Sequence, residues 1–148
     1  MGTHFRGAAR ETRALDAYIK LLRAAESVVT RAHRRTACDL TVSQFGVLES
    51  LLHLGPMHQR LIGSKLLKSG GNVTMVIDNL ERRGLVERRR DQQDRRFVSV
   101  HLTPAGERLI GEVFPRHVQS ILEEMGPLTG AEQELLGRLC RKLGRGAA

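Results

Sequence analysis

One segment of this chain, residues 69–103, leaves little choice of fold. It reads SGGNVTMVIDNLERRGLVERRRDQQDRRFVSVHLT. Val73, Val76, Ile77 and Leu80 recur at i, i+3, i+4 and i+7, the period of an amphipathic helix. Gly84 supplies a left-handed stop at its end. Two short strands are predicted next, near residues 85–90 and 97–103. In the second, Val98, Val100 and Leu102 alternate with Ser99 and His101, the spacing of a half-buried strand. Between them Asp91-Gln92-Gln93-Asp94-Arg95-Arg96 forms a polar hairpin tip. A helix that passes at once into a basic hairpin suits duplex DNA. Its width fits the major groove, and the tip can reach backbone or minor groove alongside.

The flanking sequence reads as helices. Over residues 11–37, Leu15, Tyr18, Leu22, Ala25, Val29 and Ala32 follow three-and-four spacing, with Ile19 and Val28 widening the stripe. So long a helix in so short a chain needs a partner for its apolar seam, inside the chain or in a second copy. Thr41 or Ser43 can cap a second helix that turns Phe45, Leu48, Leu51 and Leu52 inward and stops at Gly55-Pro56. A third helix, over residues 58–67, buries Ile62 and Leu66, with Gly63 between them allowing another helix to cross closely. Ser69 is the expected N-cap of the fourth. Pro104 suits the first turn of a fifth helix carrying Leu109, Ile110, Val113, Phe114, Val118, Ile121, Leu122 and Met125, with Pro115 as a place to kink. After Gly126-Pro127, a sixth helix over residues 130–143 shows Leu135, Leu136, Leu139 and Leu143. Neither an internal repeat nor an interdomain linker is visible, so residues 1–148 read as one domain.

Charge points the same way. The net charge is +8, and arginine supplies 20 of the 24 basic residues, only Lys20, Lys65, Lys68 and Lys142 being lysine. A planar guanidinium pairs bidentately with phosphate or guanine, which favours a polyanion partner, although a GC-rich genome produces the same bias. Aromatic residues make up 3% of the chain, too few for stacking single-stranded bases. No run has the length of a membrane span and the first residues hold no apolar signal core, so a cytoplasmic location is expected. His4, His33, His53, His58, His101 and His117 are scattered, and Cys38 and Cys140 form no ligand or redox pair motif. Adjacent Glu123 and Glu124 point apart on a helix. Nothing in the chain resembles a nucleophile elbow or a phosphate loop, so neither an enzyme nor a resident cofactor or metal is expected.

Helix, turn, helix and a two-stranded hairpin is the order of a winged helix-turn-helix. In this respect the chain resembles the multiple antibiotic resistance regulator (MarR) family of bacterial transcription factors. The resemblance rests on Leu40-Thr41, Gln44-Phe45 and Leu48 upstream and on Leu80-Glu81-x-x-Gly84-Leu85-Val86. Its most specific part is Asp94-x-Arg96, followed by Leu102-Thr103 and Gly106. It implies a mainly α, homodimeric fold, with the winged helix-turn-helix over residues 41–103 and dimerisation helices over 11–37 and 105–145. Leu15, Leu22, Val29, Val113, Ile121, Leu136 and Leu139 would then lie in the interface. Paired recognition helices would enter successive major grooves of a near-palindromic operator about 34–36 Å apart.

Roles follow from the resemblance and from side-chain chemistry. Arg96 would reach the minor groove with Arg95 beside it; the alternative is an arginine paired to Asp94 or Asp91 that only stiffens the wing. Asp94 is expected to organise the wing. Asn72 suits adenine, Met75 a thymine methyl and Thr74 a phosphate, while Arg82, Arg88, Arg89 and Arg90 would add phosphate contacts. Ser69, Gly70 and Gly71 open the recognition helix, and the glycines permit close backbone approach to phosphate or form a plain junction. Lys68 stands where the family often has an apolar residue. Members of the family often bind phenolic or other aromatic compounds in a cleft between dimer helices and winged domain. Tyr18, Phe45, Leu48 and His53 could border such a cleft, and the same residues read equally as core. The oxidant-sensing cysteine near the start of the first helix is absent. The expected partners are thus double-stranded operator DNA, a second copy of the chain and a small-molecule effector releasing a repressor. Competing readings are a sequence-nonspecific basic nucleic-acid-binding protein and a redox-responsive regulator acting through Cys38 or Cys140.

Overall fold

The computed structural model describes residues 4–66 and 70–146. The elements run α1 (Ala9–Thr36), α2 (Val42–Leu54), β1 (Met57–His58), α3 (Gln59–Leu66), α4 (Gly70–Arg82), β2 (Val86–Arg90), β3 (Val98–Leu102), α5 (Pro104–Met125) and α6 (Gly130–Gly144). The fold is mainly α, with a winged helix-turn-helix and a small antiparallel sheet in the order β1-β3-β2. Two strands were expected, and the described residues hold three. β1 has two residues, pairing Met57 with Val100 and His58 with Ser99, and a two-residue strand is too short to leave a periodic signature. The Ser69 cap expected for α4, and Lys68, lie outside the described residues.

Two compact units make up the chain. The first spans residues 37–117 and contains the wing. Thr41 caps α2 through a reciprocal capping box with Gln44, which decides between Thr41 and Ser43. Leu48, Ile62, Ile77, Leu80, Val100 and Ile110 are fully buried at the centre of its aliphatic core. Each such side chain contributes about 1.5–3 kcal/mol by leaving water. At Gly63 a Cβ would lie 2.8 Å from Val73 Cγ2, so α3 and α4 approach each other across a position with no room for a side chain. α4 ends as its sequence predicts. Gly84 takes φ +71°, its N–H donates to Glu81 O, and Leu85 N–H donates to Leu80 O, a Schellman closure. Two residues later the chain is already in β2.

Thr103 joins wing to α5. Its hydroxyl donates to Gly84 O at 2.6 Å and accepts from Gly106 N–H at 3.1 Å, while its own N–H donates to Leu85 O. Pro104 occupies the first turn of α5, as expected, and the helix continues through Pro115.

The second unit comprises the residues up to Thr36 and those from Val118 onward. α1 and the end of α5 are tied by charge: Glu124 accepts from Arg31 Nε at 2.6 Å and from Arg35 Nε at 2.8 Å, and Arg35 also pairs with Glu123. The Glu124 side chain is only 4% exposed. Hydrogen bonding from Arg31, with Arg35 adding to it and burial opposing, holds its carboxyl below the ordinary range. A depressed carboxylate gives stability that is present above its unfolded value, near 4.5, and lost as pH falls through the lower folded one. Acidification should therefore raise hydrogen exchange along α1 and the end of α5. Glu124→Gln should flatten that response, and an unaltered acid profile in this variant would rule the pairing out as its source.

Candidate nucleic-acid interface

The α4 helix divides its residues between two faces. Val73, Ile77 and Leu80 go to the core; Asn72, Thr74, Met75, Asp78 and Arg82 are exposed, Met75 at 72%. Gly70 and Gly71 form its first turn. Gln44 Nε2 donates to Asn79 Oδ1 at 2.9 Å, and Arg83, just past the end of α4, donates to Asp39 O at 2.9 Å, so the end of α4 is pinned along one stripe to the start of α2 and the residues before it.

The wing tip is wound by its own carboxylates. Asp91 Oδ1 accepts from the backbone N–H groups of Gln93 and Asp94, at 2.8 and 3.2 Å. Asp94 Oδ1 accepts from Arg96 N–H at 3.1 Å and Nε at 3.0 Å, and its Oδ2 accepts from Nη2 at 2.8 Å. That fork lowers the Asp94 pKa and raises that of Arg96. Arg96 is therefore paired to Asp94, as the stiffening alternative required, while its side chain stays 86% exposed. Arg95 is exposed beside it. Arg89 pairs with Glu87 on the same strand.

Several expected site residues stand elsewhere. Arg88 does not extend into solvent as a phosphate contact would. Its side chain is 21% exposed and is held by Asp78, Glu81 and Gln59. Its place on β2 explains this: it pairs with Val100 on the sheet face turned toward the core. Val113 is not an interface residue of the second unit. At 1% exposure it belongs to the winged core, because the first turns of α5 cover that core. Phe45 and Leu48 are likewise core side chains rather than cleft walls; the Phe45 and His117 rings meet at a tilt, with centroids 4.4 Å apart. His53 stays exposed, with its ring edge-on to Phe114 at 4.6 Å, and Tyr18 is exposed on α1. Cys38 is half-buried and Cys140 exposed.

Residues 40–98, which run from α2 to the wing tip, match the model of the MarR family. A Bacillus subtilis protein, the uncharacterized HTH-type transcriptional regulator YkoM, is 38% identical over 133 residues, which is 89% of this chain and 86% of that one. The chain belongs to the MarR family. Solved members share its fold. Bordetella bronchiseptica BpsR, whose DNA binding is regulated by 6-hydroxynicotinic acid, superposes with a TM-score of 0.78 at 32% identity, covering 86% of this chain and 98% of that one. A mutant of Escherichia coli MarR complexed with operator DNA gives 0.76 at 25% identity, over 83% of this chain and 89% of that one. As a MarR-family protein the chain is a DNA-binding transcriptional regulator, and its relatives belong to no catalytic family. Among the described residues no helix is long and apolar enough to cross a membrane.

Proposed function

We propose that the protein is a cytoplasmic homodimeric repressor that reads a near-palindromic operator and is released by a small aromatic ligand. The observation that carries the DNA half is the wing tip. Its carboxylates hold the backbone while the Arg96 guanidinium stays open to solvent, beside Arg95 and on the same unit as the exposed face of α4. In this reading Arg96 enters the minor groove, Arg95 and Arg82 lie on phosphates, and Gly70 and Gly71 let the helix start approach the backbone closely. Asn72 and Met75 face base edges, with Thr74 toward a phosphate. BpsR, regulated by an aromatic acid, supports the ligand class. On the winged unit His53 remains exposed as a candidate to touch such a ligand.

Self-association is supported by apolar residues that one chain leaves uncovered. Leu22 and Val29 on α1, and Leu136 and Leu139 on α6, are exposed, with Leu15 and Ile121 half-buried. None of the described α6 residues is buried. A helix with an open leucine face needs a second surface.

The test is a titration of a duplex selected by the protein from a random pool against a random duplex, in matched salt. Equal affinities would reduce the protein to a nonspecific cationic binder. In the same assay Arg96→Ala should lower affinity for the selected duplex by about tenfold or more, with the unfolding curve unchanged. Unaltered affinity would remove the wing from recognition.

A further inference from the structure

Arg88 makes more intramolecular contacts than any other arginine described above. Nη2 meets Asp78 Oδ1 at 2.6 Å and Thr74 O at 3.4 Å, Nη1 meets Glu81 Oε1 at 3.1 Å, and Nε meets Gln59 Oε1 at 3.0 Å. Its backbone N–H donates to the other oxygen of Glu81, at 3.0 Å. Gln59 closes the set by donating from Nε2 to Thr74 Oγ1 at 3.3 Å. Three elements meet there: the first residue of α3, the middle of β2, and α4 at positions 74, 78 and 81. Spacings of four and three put those positions on one stripe of the helix.

A guanidinium has five donors in a rigid plane. Here they are spread over two carboxylates, an amide and a backbone carbonyl, so the helix cannot roll about its axis without breaking several charge-assisted bonds. On the proposed operator reading, such a roll would move Asn72 and Met75 relative to the wing arginines. We propose that Arg88 is a positioning residue for operator discrimination: it fixes the rotation of α4 against the wing through Asp78, Glu81 and Gln59, and does not itself touch DNA. The two carboxylates consequently face an arginine of their own chain.

The experiment compares affinity for the selected duplex with affinity for a random duplex, as a ratio, across a salt series. The wild-type protein must first show a preference; its absence would overturn the operator reading itself and not the role of Arg88 alone. Given that preference, Arg88→Gln should lower the ratio by about tenfold or more while the dependence of log affinity on log salt keeps its slope. Arg88→Lys, which keeps the charge but not the fork, should not restore the ratio. In a background already carrying Asp78→Asn and Glu81→Gln, Arg88→Gln should have no further effect. Three results would overturn the proposal: an unchanged ratio with a slope smaller by about one, the mark of a lost phosphate contact; recovery by lysine; or a full loss of ratio in the neutralised background, which would mean direct contact with a base. If Arg88→Gln fails to fold, the lysine variant and the neutralised background carry the same comparison.

Discussion

Leu139→Asp should abolish tight operator binding without disturbing the winged unit. Leu139 lies on α6 and is 55% exposed in the single chain, so an aspartate there meets water and costs the isolated subunit little. In the proposed dimer the same position is covered, and an unpaired buried carboxylate costs several kcal/mol. The variant should sediment as a single subunit. Each winged unit would then meet one half-site alone, losing the roughly 10²–10⁴-fold gain that comes from tethering two binding modules. Circular dichroism of the variant should keep its helical content, since α6 contributes no buried residue to the chain. A single subunit that still held the operator tightly would refute the paired reading, and a dimer that persisted would place the interface elsewhere.

Gly106→Ala should be the most damaging conservative change in the winged unit. Gly106 sits in the first turn of α5, where an added Cβ would fall 1.9 Å from Leu85 O and 3.3 Å from Leu102 Cδ2. The first contact is with backbone, and that carbonyl already accepts from Thr103 N–H at the root of both long strands. Relief requires α5 to shift away from the wing. We expect a loss of about 3 kcal/mol or more, with a melting point lower by roughly 10 °C. Gly111→Ala is the internal control, because it lies in the same helix with nothing within 4 Å of its added carbon. Replacing a helical glycine in open space should raise stability by about 0.5–1 kcal/mol. Similar melting points for the two variants would show that the Leu85–Gly106 approach relaxes freely.

Both expectations draw on what the sequence made visible and on what it could not. Helix ends were legible because local chemistry sets them: Thr41 and Gln44 form the predicted kind of cap, and Gly84 takes the left-handed conformation its position demanded. The second strand of the hairpin was legible from the alternation of Val98, Val100 and Leu102 with Ser99 and His101. β1 was not, being two residues long. Val113 misled because an apolar stripe names a buried face without naming its partner. Along α5 one stripe serves the winged core up to His117 and a different unit from Val118. Phe45 and Leu48 fit core and cleft equally as letters, and only packing separates the two. Arg88 shows the limit for charge: a basic residue among basic residues gives no sign that Asp78 and Glu81 from a preceding helix already hold it. For the wing arginine the letters left Asp94 and Asp91 open as partners, and the turn selects Asp94 for Arg96, two residues away.

The winding of the wing tip has a thermodynamic consequence. Ordering one backbone residue costs about 1–2 kcal/mol of conformational entropy, and in this loop Asp91 and Asp94 meet that cost during folding, through six hydrogen bonds to their neighbours' backbone and to the Arg96 guanidinium. A partner encountering the tip finds its shape already set, so capture should proceed at a rate governed by diffusion and charge rather than by loop rearrangement.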